Sequence, residues 1–178
     1  MPAGEPVAAF GERLLTAIAE QDPERLVVDL RFNTGGNLDV AYPLFGRLAA
    51  LPLAQRPGGL VVITGPATFS AGLFYAAYLA EATQAAFVGE WPGDDLDFWA
   101  EGGRVVLPHS GIVLKYTDRL HSYSPDPYPA GTPVHVDFAV GGLMPWQSAA
   151  MTAEAYFGRR DPALEAALGY RPRRGVGR

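Results

Sequence analysis

The sequence contains no cysteine. Disulfides, thiolate zinc sites and cysteine nucleophiles are excluded together, while the redox compartment stays open. Lysine is nearly absent as well. Lys115 is the only one, and histidine is confined to His109, His121 and His135, so chemistry that needs a nitrogen base has few candidates. No apolar run approaches the ~20 residues that cross a bilayer, and no membrane span is expected. The opening residues lack the basic start and apolar core of a secretory leader, and the compartment is left open. Charged residues make up only 19% of the chain and the formal net charge is −5, which argues against nucleic acid or an anionic membrane as the partner. Arg171, Arg173, Arg174 and Arg178 read as a solvated basic end.

What is present is a globular composition. The chain has 178 residues, 48% of them apolar, which suffices for one domain with a sizeable core. Val7, Phe10, Leu14 and Ile18 recur at helical spacing, so residues 5–20 read as an amphipathic helix ended by Asp22-Pro23. Leu26 to Leu30, Gly59 to Thr64 and Ala86 to Gly89 read as short buried strands. Between them lie a helix over 38–51, starting late or kinked at Pro43, and an alanine-rich helix over 70–82. This alternation indicates parallel βαβ units. The second half differs. Residues 104–107, 112–116 and 134–136 read as short strands, 122–133 as a proline-rich loop and 141–145 as irregular. Asp161-Pro162 places an aspartate N-cap and a proline at N1 before a last helix that Gly169 can end. No repeat or linker divides the chain, so residues 1–178 are expected to form a single domain.

Two strand-turn-helix segments stand out: Leu26-Val-Val-Asp29-Leu-Arg31-Phe-Asn33-Thr-Gly35-Gly36 and Val61-Val-Ile-Thr-Gly-Pro-Ala-Thr68-Phe-Ser70-Ala71-Gly72. A serine hydroxyl is a poor nucleophile until a base takes its proton and donors hold the oxyanion that forms. Ser70 opens a helix, where its neighbouring N–H groups and the helix dipole favour negative charge. Gly35-Gly36 leaves N–H groups unshielded after a second strand. One N–H from each turn would make an oxyanion hole. Each feature also has a plain structural reading. Serine is a preferred N-cap, Gly-Gly is a common turn, and Asp29 with Arg31 reads as an ion pair.

The segment Asp29-Leu-Arg-Phe-Asn33-Thr-Gly35-Gly36 resembles the Asp-Leu-Arg-x-Asn-x-Gly-Gly motif of the tail-specific (C-terminal-processing) serine peptidases. Thr68-Phe-Ser70-Ala71-Gly72 resembles the nucleophile motif of the same family, and Val88-Gly89-Glu90 its next strand end. Leu107-Pro-His-Ser110-Gly111 and Gly158-Arg-Arg-Asp161-Pro-Ala-Leu164-Glu165 resemble the C-terminal part of bacterial branches. The similarity covers about residues 5–170. It implies a crotonase-like (ClpP/crotonase) α/β fold with a ββα-type core and a mostly parallel sheet flanked by helices. It also implies Ser70 as nucleophile and the N–H groups of Gly35 or Gly36 and of Ala71 as oxyanion donors. The substrate would be a peptide or protein, without cofactor or metal, and members of the family are often exported. The chain is expected to be truncated at its N-terminus relative to that family. A peptide-binding or scaffolding relative without turnover, and more remotely a crotonase-type acyl-CoA enzyme, are the alternatives.

The pattern departs from the family at the base. Many members supply a lysine after the Val-Gly-Glu strand. Here that region is Glu90-Trp-Pro-Gly-Asp94-Asp95-Leu-Asp97-Phe98-Trp99, without lysine, and Lys115 reads as a surface residue. A second branch takes a histidine from a segment before the first motif. Among the histidines present, His121 is the local candidate for the base, His135 reads as structural and His109 falls in a turn. Glu90, Asp94, Asp95 and Asp97 read either as acid–base or metal-binding carboxylates or as a solvated loop. Trp91, Phe98 and Trp99 read either as cleft lining or as anchors.

Overall fold

The computed structural model describes residues 4–125 and 134–172. Most of the expected proline-rich loop and the arginines from Arg173 onward lie outside the described residues. The elements in chain order are α1 (Val7–Gln21), β1 (Leu26–Asp29), α2 (Leu38–Ala49), a 3-10 turn (Pro52–Gln55), β2 (Leu60–Thr64), α3 (Ala71–Ala82), β3 (Ala86–Gly89), β4 (Asp97–Ala100), β5 (Gly103–Val106), β6 (Val113–Tyr116), β7 (Arg119–Ser122), β8 (Val134–His135), β9 (Gln147–Ser148), α4 (Ala153–Phe157) and α5 (Pro162–Gly169).

The central sheet has the order β1-β2-β3-β9 with every pair parallel, as the βαβ alternation predicts. β2 runs through its middle, and Leu60, Val61, Val62 and Ile63 are wholly buried. Alternation along the strand sends its side chains to two cores. Leu60 and Val62 meet α2, α3 and the aromatic residues around Phe74. Val61 and Ile63 meet Ala163 and Ala167 of α5. Helices thus cover both faces of the sheet, the arrangement that a continuously apolar parallel strand requires. The mixed α/β expectation, with a mostly parallel sheet flanked by helices, is what the chain adopts.

Helix α3 shows why the alanine-rich segment folds as it does. Ala71, Leu73, Phe74, Tyr75, Ala76, Ala77 and Leu79 are all buried, so the helix is covered on nearly every side. Helix α2 begins at Leu38, where the Asn37 side chain accepts from the Asp39 N–H, and it runs through Pro43. The start is therefore not delayed as Pro43 suggested. Proline here forgoes only one backbone bond in the helix interior. Helix α5 opens as expected on Asp161 at the N-cap and Pro162 at N1. Its C-terminal carbonyls are collected by Arg25, which donates to the carbonyls of Ala167, Leu168 and Tyr170, and to that of Gly58. A guanidinium at a helix C-terminus satisfies orphan acceptors and complements the dipole.

A smaller sheet, β4-β7-β8, packs over the α3 side through Phe98 and Tyr123. Strands β4, β7 and β9, the 3-10 turn and helix α4 are additions to the elements expected from sequence. β5 and β6 form a separate two-stranded ribbon. Among the described residues, no helix is long and apolar enough to cross a membrane.

Candidate active site

The two motif turns are joined side by side at the carboxyl ends of β1 and β2. The Thr68 hydroxyl donates to the Leu30 carbonyl at 2.9 Å and accepts the Gly65 N–H at 3.0 Å. The Phe69 N–H donates to the Asn33 carbonyl at 3.0 Å. The Asn33 side chain in turn accepts the Gly35 N–H at 3.1 Å. Thr68 is wholly buried, so its own two bonds are shielded from water and leaving one unmade costs more than it would at the surface. Asn33 and Thr68 carry this junction, a role not assigned to them from sequence. The signal available is their chemistry: short polar side chains beside glycines are the residues that bond nearby backbone.

Ser70 sits at the start of α3 with φ 53° and ψ −117°, and its side chain makes no capping bond. The plain N-cap reading therefore does not describe it. A serine cap has extended backbone and turns its oxygen to the helix N–H groups. Ser70 instead holds a strained conformation of the kind that clusters at functional sites, resembling the sharp strand-to-helix turn that exposes a nucleophile. Among the described residues its hydroxyl has no hydrogen-bond partner.

Gly35 lies against Ser70. A Cβ built on Gly35 would stand 2.6 Å from Ser70 Cβ and 3.0 Å from Ser70 Oγ, and its φ is +107°. Only glycine fits this position. The Gly35 N–H is spent on Asn33, so it is not free for a ligand. The Gly36 and Ala71 N–H groups donate to no acceptor among the described residues; Ala71 follows Ser70 in the chain, and Gly36 follows Gly35, which lies against Ser70. The structure thus brings Ser70, Gly35, Gly36 and Ala71 together.

His121 makes no hydrogen bond to Ser70. His121 lies on β7, buried, stacked on Phe98 with ring centroids 4.9 Å apart. Its Nε2–H donates to Glu101 at 2.7 Å, because a carboxylate only accepts. Its Nδ1 lies 3.3 Å from the Tyr123 hydroxyl. Burial, with the Glu101 charge beside it, pushes the Tyr123 hydroxyl up to about 12, so it stays protonated and able to donate to Nδ1. Both imidazole nitrogens are engaged by groups other than the serine. His135 pairs with Asp137 at 2.7 Å. His109 and Lys115 belong to the exposed β5–β6 ribbon.

The acidic segment after β3 resolves into distinct parts. The Gly93 N–H donates to the Thr68 carbonyl at 3.0 Å, which holds the loop onto the serine turn. Asp94 and Asp95 are exposed. Asp97 enters β4 and accepts from the Ser124 hydroxyl at 2.8 Å. Among the described residues no cluster of three or more acidic, histidine or cysteine side chains could hold a metal ion. Phe98 is an anchor, packed edge-on against Phe69 at 5.2 Å, whereas Trp91 and Trp99 are exposed.

The Asp29–Arg31 pair is present and extended. The Arg31 guanidinium bridges Asp29 at 2.6 Å and Asp161 at 2.8 Å. Its hydrogen bonds hold the Asp161 carboxyl below the ordinary carboxylate range, and donating to both aspartates pushes Arg31 up. Beside this bridge is a cleft of about 460 Å³ at the ends of β2 and β3, lined by Arg31, Phe32, Pro66, Met151, Tyr156 and Pro162 among others. Ser70 does not line it.

No family model and no curated protein matches the sequence. Solved structures do. A candidate peptidase of Parabacteroides merdae superposes with a TM-score of 0.52 at 18% identity, over 89% of this chain and 56% of that one. A candidate S41 protease of Bacteroides fragilis gives 0.49 at 15% identity, over 95% and 49%. A photosystem II D1 C-terminal processing protease gives 0.45 at 20% identity, over 83% and 40%. At these identities the likeness is one of fold, and the chain has the α/β fold of the first of these structures. The chain spans about half the length of the structures it matches.

Proposed function

We propose that the chain is the core of a serine-type hydrolase of the tail-specific peptidase kind, acting on peptide bonds through an acyl-enzyme on Ser70. The observation that carries this reading is the Ser70 backbone, φ 53° and ψ −117°, with a hydroxyl that caps nothing. A strained serine persists only where the surroundings over-determine it. The Thr68 and Asn33 bonds and the close approach of Gly35 supply that constraint. In this reading Oγ attacks the scissile carbonyl carbon, and the Gly36 and Ala71 N–H groups hold the oxyanion. The tetrahedral intermediate then collapses, the amine departing with the proton given up by the serine and the acyl group staying on Ser70, and water then releases the acid and restores the Ser70 hydroxyl. Removing one donor from such a hole costs about 3–4 kcal/mol of transition-state stabilisation.

A second reading is a peptide-binding relative without turnover. One observation favours it: His121 and His135 are both bonded elsewhere, and His109 and Lys115 are on the outer ribbon. Labelling with a fluorophosphonate probe separates the two readings. A hydrolase labels, and Ser70→Ala abolishes the label. A folded chain whose wild type does not label is the binding relative.

A further inference from the structure

Of the two glycine N–H groups in the first motif turn, one is free among the described residues and the other is not. Gly35 and Gly36 have φ of +107° and +133°, so both occupy backbone that glycine alone adopts readily. Asn33 is what separates them. Its Oδ1 accepts the Gly35 N–H at 3.1 Å, a bond to the backbone two residues on that fixes the peptide plane between Thr34 and Gly35. The Gly36 N–H, one residue further, meets no acceptor. Asn33 is itself held at three other points. Its N–H donates to the Leu30 carbonyl and its carbonyl accepts the Phe69 N–H, each at 3.0 Å. The third point is the notch that Gly72 leaves in the first turn of α3. A Cβ on Gly72 would stand 2.5 Å from the Asn33 carbonyl oxygen and 3.3 Å from the Asn33 Cβ and Cγ. The serine motif therefore grips the residue that arranges the glycine motif.

We propose that Asn33 is the positioning residue of the oxyanion hole, a role that depends on the hydrolase reading of Ser70. Its carboxamide takes up the Gly35 N–H and so leaves the Gly36 N–H as the donor that the first turn offers. The residue type fits the task. The short side chains that accept a backbone N–H two residues on are those of Asn, Asp, Ser and Thr, and the hydroxyls bond more weakly. A carboxylate would accept the same N–H in a stronger, charge-assisted bond. It would also set a full negative charge beside a donor whose work is to stabilise negative charge as it develops. The carboxamide supplies the acceptor without that charge. With no acceptor at position 33, the Gly35 N–H is released and the peptide plane before it is free to turn. Two adjacent glycines then hold neither N–H in a fixed direction, and the donor is no longer preorganised.

Two measurements on the intact chain test this. The first uses the wild type and a fluorophosphonate probe. Ser70 Oγ forms a bond to phosphorus, and fluoride leaves with the serine proton, so that a phosphoryl oxygen stands where the oxyanion would. Backbone amide NMR before and after labelling is expected to show the Gly36 resonance moving downfield and that of Gly35 staying in place. A shift at Gly35 larger than that at Gly36 overturns the assignment. The second compares labelling rates. Asn33→Asp keeps the bond to Gly35 and is expected to be as stable to urea as the wild type, yet to label about tenfold more slowly at mildly alkaline pH. Its rate relative to the wild type should recover as pH falls toward the carboxylate range and the new charge is lost. Asn33→Ala is expected to label slowly at every pH. A purely structural role for Asn33 predicts that the aspartate variant labels like the wild type, and that result overturns the proposal while leaving the hydrolase reading intact. A wild type that does not label removes both. Should the aspartate variant fail to fold, the amide shifts of the wild type decide alone.

Discussion

Gly35 and Ser70 touch across the two motif turns: a Cβ on Gly35 would lie 2.6 Å from the Cβ of Ser70. The glycine is thus fixed by its neighbour as well as by its own backbone. Gly35→Ala is expected to displace Ser70, abolish fluorophosphonate labelling and lower stability by about 2 kcal/mol. Gly36→Ala meets nothing within 4 Å and carries only the backbone strain of its φ, roughly 1 kcal/mol. Chemical denaturation of the two variants checks this. Equal losses would mean that the contact with Ser70 is not what restricts position 35.

The conformation of Ser70 makes a prediction about stability that is separate from chemistry. Ser70→Ala keeps a Cβ and therefore keeps the strain. Ser70→Gly relieves it. The glycine variant is expected to be more stable than the alanine variant by about 1 kcal/mol, although glycine normally costs stability. Neither variant labels. Thermal or urea unfolding compares them, and a glycine variant that is the weaker of the two removes the evidence for strain.

Thr68 joins the turns through one hydroxyl. Thr68→Val keeps the shape and leaves the Gly65 N–H and the Leu30 carbonyl buried without that partner. A loss of about 2–3 kcal/mol is expected, together with reduced labelling at Ser70. Thr68→Ser retains the hydroxyl and should lose only about 1 kcal/mol, for the missing methyl. A valine variant as stable as the serine variant would show that the hydroxyl does not hold the turns together.

Asp161 provides the pH test. Its carboxyl is held below its ordinary value of 3.8, chiefly by the hydrogen bond from Arg31. A depressed carboxylate contributes stability that is present above the unfolded value and is lost as pH falls through the folded value. Asp161→Asn retains an N-cap and removes the ion pair. The wild type is expected to exceed this variant by about 1 kcal/mol at neutral pH, the discounted value for a partly exposed pair. The gap should close as pH falls below the usual carboxylate range. Urea titrations at a series of pH values measure it, and a gap independent of pH would place the effect elsewhere.

The three central strands, the helices between them, the N-cap of α5 and the Asp29–Arg31 pair were legible in the sequence because each has a local cause. Buried strands are apolar runs, and Asp-Pro writes its helix start into two adjacent residues. β4 was not legible. It lies in Asp97-Phe-Trp-Ala100 behind an acidic loop, and it becomes a strand by pairing with β7, whose residues come well after it. β9 is only Gln147–Ser148, polar and exposed, and exists because the edge of β3 accepts it. At the site, the residue types and their order pointed to Ser70 and the glycine turn. Sequence left the cap and nucleophile readings of Ser70 both open, since the difference between them is a backbone dihedral set by tertiary contact. For His121 the missing information was its neighbours: Glu101, Tyr123 and Phe98 claim the ring from three sides.

The Arg31 bridge has a consequence for the order in which the molecule is made. Arg31 grips Asp161 from 130 positions earlier in the chain. Long-range closures of this kind form late, because the intervening loop must be ordered before the contact rewards it. During synthesis the strand end that carries the glycine turn therefore waits, without its brace, until nearly the whole described fold has been translated. A nascent chain halted before Asp161 has the serine and the glycines but not the carboxylate that closes the Arg31 bridge beyond β1, so that bridge is supplied only by the later part of the polypeptide.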